Sequence, residues 1–87
     1  MSTGIRRQSR TSLAASKTKP DLGAIGSRIK KLRGEVFQED MADYLGISQG
    51  HLSKIERGRG APTIETLFLL SERFHKSIDW ILRGEGN

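Results

Sequence analysis

Apolar residues along this chain fall into five short groups with helical spacing. Ile25, Ile29 and Leu32 recur at offsets of four and three, which predicts a first helix over about Leu22 to Arg33 with Gly34 as its stop. Met41 and Leu45 stack on one face of a second, Gln38 to Leu45, and Leu52 and Ile55 on one face of a third, Gln49 to Arg57, ended by Gly58. Pro62 and Thr63 open a fourth, whose Ile64, Leu67, Phe68 and Phe74 repeat at core spacing, and Ser77 caps a short fifth holding Ile78, Ile81 and Leu82. No stretch alternates with the period of a strand, and no internal repeat is present. The pattern predicts an all-α domain of five helices.

The junction between the second and third helices carries the most information. A helix ending at Leu45 calls for a left-handed residue next, which Gly46 adopts without steric cost, and Ser48 is placed to cap the helix that follows. Ala42 sits beside the Met41/Leu45 stripe, where a longer side chain would hold the two helices apart. Ile47 is expected to plug the corner. Two short helices crossing through a tight turn form a geometry suited to the DNA major groove.

The run Gln38 to Arg57, QEDMADYLGISQGHLSKIER, with IGSRIKKLR before it and FHKSIDWILRGEG after it, resembles the XRE family, which includes the phage lambda and 434-type repressors and the Cro proteins. The likeness covers roughly Ile25 to Gly86 and implies a compact lambda-repressor-like domain. It also implies that the helix Ser48 to Arg57 enters the major groove and carries base or phosphate contacts. With the core positions Leu52 and Ile55 removed, Ser48, Gln49, Gly50, His51, Ser53 and Lys54 remain near the groove. Gln49 is the best base reader, because its amide can donate to and accept from adenine in a bidentate pair. Lys54 is suited either to guanine or to a phosphate. Gly50 either admits close approach of the backbone to DNA or marks a smaller set of direct contacts. His51 is either a donor to a base or phosphate or a half-exposed histidine with no sequence-specific role.

Gln38 opens the first helix of the pair, where a backbone N–H, the positive helix end and its own amide all favour a phosphate, and the resemblance implies the same role. Arg57 and Arg59 flank Gly58 and are expected to grip the backbone across the groove, the alternative being a solvated basic loop. The family pattern implies a structural ion pair between Glu56 and Arg33. One feature departs from that pattern: only GEVF stands between Arg33 and Gln38, about two residues fewer than is usual. Phe37, where a Ser or Thr cap is common, is expected to pack against the core instead. The shortened turn leaves the orientation of Gln38 open.

Composition sharpens this picture in a few places. A chain of 87 residues holds one small domain, able to bury only about 60% of its unfolded surface, so a partner would stabilise it. Fifteen Lys plus Arg against ten Asp plus Glu give +5, a sign suited to polyanions. The excess is uneven: residues 1–24 carry Arg6, Arg7, Arg10, Lys17 and Lys19 against Asp21 alone, +4, and leave +1 for the other 63. Residues 1–21 are rich in Ser, Thr, Gly, Ala and cations and poor in apolar groups, which predicts a disordered basic tail ahead of a DNA-binding domain at 22–87. That tail is either a solubilising segment or an arm whose Arg6, Arg7 and Arg10 lie in the minor groove.

There is no cysteine, so disulfides and thiolate metal sites are excluded. No apolar run approaches the roughly 20 residues of a membrane span, no signal peptide is recognisable, and a cytoplasmic protein is expected. His51 and His75 lie on different elements, no catalytic triad or carboxylate pair is specified by spacing, and no phosphate loop follows a strand. Neither an enzyme, a metal site nor a cofactor is expected. A single recognition helix reads few base pairs, which points to a homodimer on double-stranded DNA with two-fold symmetric half-sites about 34 Å apart. Its interface would involve the region of Trp80 and Leu82, unless Trp80 is ordinary core. The favoured reading is a sequence-specific transcriptional regulator, a repressor that occupies its operator and takes its regulation from elsewhere. The alternative is an antitoxin or other protein-binding module that touches DNA secondarily. Its partner-binding segment would have to be residues 1–24, which carry few apolar anchors.

Overall fold

The first N–H groups of a short helix need acceptors, and four helices of this protein receive one from the side chain just ahead of them. Asp21 accepts from Ala24 N, Ser48 from His51 N, Thr63 from Thr66 N and Ser77 from Trp80 N. The computed structural model describes residues 19–86. Among them the helices are α1 (Leu22–Arg33), α2 (Gln38–Leu45), α3 (Gln49–Glu56), α4 (Ile64–Phe74) and α5 (Ile78–Arg83), with no strand. Helix α3 stops one residue earlier than the spacing predicts. Arg57 is its cap, and Gly58, at φ 76°, turns the chain so that Gly58 N donates to Ile55 O and Arg59 N to Lys54 O.

All five helices contribute to one core. Ile25 and Ile29 come from α1, Met41, Ala42 and Leu45 from α2, Leu52 and Ile55 from α3, Leu67 and Leu70 from α4, and Ile81 from α5. Ile47 packs at the edge of this cluster at the α2–α3 corner. Helix α1 lies against α3 and α5, and α4 against α2 and α5. The Arg28 guanidinium closes α1 onto α5 by donating to Ile81 O at 3.0 Å.

Two expectations are corrected. On α4, Ile64 is 80% exposed and Phe68 55% exposed, while Thr66, Leu67 and Leu70 are buried. Apolar residues occur nearly all round this helix, and its packing against α2 and α5 selects the Thr66/Leu67/Leu70 side. Phe37 does not reach the core: it is 75% exposed. The short turn before it is braced by Arg33 Nη1 donating to Val36 O at 2.8 Å and by Val36 N donating to Arg33 O, which leaves Phe37 in an extended conformation pointing outward.

Helix α1 meets the end of α3 at close quarters. A Cβ placed on Gly26 would lie 2.8 Å from the carbonyl oxygen of Glu56 and closer still to that of Ile55. One on Gly58 would lie 2.8 Å from the Cα of Gly23. Backbone therefore rests on backbone here, and this main-chain contact adds to the side-chain packing that seats α3.

Candidate nucleic-acid interface

The candidate surface is built on the turn between α2 and α3. Gly46 takes the left-handed conformation, φ 72° and ψ 28°, and the reversal is tied by Gly46 N donating to Asp43 O and Ile47 N to Ala42 O. Ser48 Oγ then accepts from His51 N at 3.0 Å and starts α3. The inner side of α3 carries Leu52, Ile55 and Glu56, all buried. Its outer side carries Ser48, Gln49, Gly50, His51 and Lys54, all exposed, with Ser53 half-buried between the two faces.

A polar chain runs beneath that outer face. Arg33 of α1 grips Glu56 of α3 with two hydrogen bonds, Nε to Oε2 at 2.7 Å and Nη2 to Oε1 at 3.0 Å. These bonds push the guanidinium above its ordinary pKa, against the opposing effect of burial. Glu56 Oε1 also accepts from Gln38 Nε2 at 3.1 Å, and Gln38 Oε1 accepts from Gln49 Nε2 at 3.3 Å. Three helices are thereby linked, and a carboxylate only 8% exposed has its acceptors occupied. Removing one partner of such a buried pair costs about 3–5 kcal/mol, which places Arg33 and Glu56 in the scaffold of the surface.

The described residues singled out from the sequence for DNA contact or its support fall into three groups. Gln38, Gln49, Arg33 and Glu56 are brought into one hydrogen-bonded chain. Gln38, expected against a phosphate, spends its amide oxygen and one N–H inside the protein. Ser48, His51, Ser53 and Lys54 share the α3 surface with Gln49. Arg57 and Arg59 are exposed beyond its far end, with Arg57 Nε donating to Ser53 O at 3.3 Å. Arg6, Arg7 and Arg10 lie outside the described residues. Trp80 is half-buried against the core, with Lys76 Nζ 4.8 Å from the centre of its ring. Among the described residues no cluster of three His, Asp or Glu side chains is placed to hold a metal, and no helix is long and apolar enough to cross a membrane.

Sequence reasoning missed two contributors. Gly26 sits inside the apolar stripe of IGSRI, and that small residue between two isoleucines was the available signal for close packing. The Gln38–Gln49 link joins residues 11 apart that lie at the starts of two crossing helices, and periodicity within one helix cannot reveal it.

A capped, exposed second helix crossing a first through a glycine turn, with both seated on the rest of a small all-α domain, defines a helix-turn-helix protein. Residues 29–81 match the family model described as Helix-turn-helix, and the chain belongs to that family. It is 39% identical over 61 residues to the SPbeta prophage-derived uncharacterized HTH-type transcriptional regulator YonR of Bacillus subtilis, a match covering 68% of this chain and 56% of that protein. Over 48 residues it is 42% identical to the HTH-type transcriptional activator BcrR of Enterococcus faecalis, covering 55% of this chain and 24% of that one. The chain thus spans about half, or less, of the length of these relatives. Among solved structures it is similar to the P22 c2 repressor protein in complex with synthetic operator 9T in the presence of Tl+, with a TM-score of 0.64 and 30% identity over 70% of this chain and 96% of that one.

Proposed function

We propose that this protein is a sequence-specific DNA-binding transcriptional regulator that represses by occupying an operator. The observation that carries the reading is the outer face of α3, where Gln49 stands in the first turn of a helix seated by side-chain packing and by backbone contact with α1. A base reader must be held to within a fraction of an ångström to discriminate one base pair from another, and this helix has that support. The regulators among its relatives and the likeness to a repressor solved with its operator favour the same conclusion.

In this reading the DNA-binding unit is 22–87. Gln49 pairs with a base, Ser48, His51, Ser53 and Lys54 complete the contacts along the groove, and Arg57 and Arg59 grip the phosphate backbone. The α2 N-terminus at Gln38 meets a phosphate through backbone N–H groups. One α3 helix covers only a few base pairs, so two copies bind as a homodimer across a two-fold symmetric site. The protein acts in the cytoplasm by occupancy, without a catalytic step.

The experiment that tests this is selection of a random duplex library on the purified protein at about 0.15 M salt, which screens loose electrostatic attraction. Enrichment of an inverted repeat with half-sites one helical turn apart is expected. Salt-sensitive binding without any enriched sequence would overturn the proposal.

A further inference from the structure

Hydrogen bonds through a side-chain amide have direction, because one end of the group only donates and the other only accepts. The chain beneath α3 starts at a carboxylate, which when ionised only accepts, and that fixes every link after it. Glu56 Oε1 takes the Nε2 end of Gln38, so Gln38 turns its Oε1 toward α3. That oxygen needs a donor, so Gln49 turns its Nε2 toward Gln38. What Gln49 has left for a partner is its Oε1 and its second N–H. One acceptor beside one donor matches adenine, which offers a donating N6 and an accepting N7 in the major groove. It does not match guanine, whose O6 and N7 both accept.

We infer that Glu56, a buried carboxylate placed away from the outer face of α3, determines the base that Gln49 reads by setting the polarity of the Glu56–Gln38–Gln49 chain. Arg33 fixes the starting point: its two bonds to the carboxylate hold Oε1 where Gln38 Nε2 meets it. The inference rests on the proposal that α3 reads DNA and adds to it the origin of the specificity. A glutamine at position 56 cannot hold that polarity: both carboxylate oxygens accept from Arg33, so either orientation of an amide there sets an N–H against the guanidinium, and neither end of Gln38 is then dictated.

The test is the affinity of folded protein for duplexes that differ only in carrying adenine or guanine at the base pair whose preference Gln49→Ala abolishes. Wild type is expected to favour adenine by about tenfold. Glu56→Gln, which releases the polarity, and Gln38→Met, which cuts the chain at a half-exposed position, each bring the two bases to within about twofold. Circular dichroism establishes that each variant is folded. If Glu56→Gln is unfolded, Gln38→Met decides alone. An adenine preference that survives in a folded Glu56→Gln or in Gln38→Met overturns the inference while leaving α3 as the DNA reader. The same holds for a loss spread evenly over all positions of the site. Wild-type protein that discriminates no sequence at all overturns the underlying DNA reading instead.

Discussion

Helices α2 and α3 are both eight residues long, yet they begin in opposite ways. Helix α3 starts at Ser48, whose hydroxyl accepts from the backbone of its first turn. Helix α2 starts at Phe37, which supplies no side-chain cap and leaves an aromatic ring exposed. A capped start has its leading N–H groups partly satisfied within the protein, so what it presents outward is side chains, and those carry sequence information. An uncapped start presents backbone donors, which suit a phosphate and carry none. Glu39 and Asp40 in the first turn of α2 oppose the field of the helix end, so a phosphate at this start would depend on aimed N–H groups rather than on the dipole. In the proposed function the two starts divide reading from gripping, and the Gln38–Gln49 bond ties them together.

The comparison can be broken most completely at Gly26. An alanine there pushes against the carbonyl groups of Ile55 and Glu56 and lifts α3 off α1, so Gly26→Ala is expected to cost about 3 kcal/mol and to show as a large fall in urea midpoint. Unchanged stability would mean that the α1–α3 contact is looser than described. Ser48→Ala removes only the α3 cap. The expected loss is about 1 kcal/mol, read in the same denaturation experiment, with operator affinity falling as the first turn frays. Phe37→Ser sharpens the contrast from the other side by giving α2 the cap it lacks. It should add about 0.5 kcal/mol of stability, since little burial is lost at a 75% exposed residue, while weakening DNA binding as the new hydroxyl competes with a phosphate for the same N–H groups. A Phe37→Ser protein that gains stability and binds DNA as well as before would show that the α2 start does not grip the backbone.

The same pair of helices shows how much the sequence discloses. Within each helix, spacing and caps located nearly everything: the bounds of α1 and α2, the serine and threonine starts of α3, α4 and α5, and the burial of Met41, Ala42, Leu45, Leu52 and Ile55. These features depend on neighbours three or four positions away, and sequence states such neighbours directly. Between helices it was less informative. Helix α4 has apolar residues on more than one side, and only its packing against α2 and α5 selects Leu67 and Leu70 over Ile64 and Phe68. Phe37 reads as core by its chemistry, but a short turn pinned by Arg33 holds it outside. The hydrogen bonds that couple Gln49 to Gln38 and Glu56 cross three elements and leave no periodic trace. Helices, their caps and the outer face of α3 are therefore legible in one dimension, and the support beneath that face is not.

The central claim is that the outer face of α3 reads base pairs through Gln49, and its most direct test compares wild type with Gln49→Ala on the selected site and on a scrambled duplex at about 0.15 M salt. The account predicts a loss of about 1–3 kcal/mol on the selected site with scrambled-duplex affinity nearly unchanged. An equal loss on both duplexes, or none on either, would contradict it.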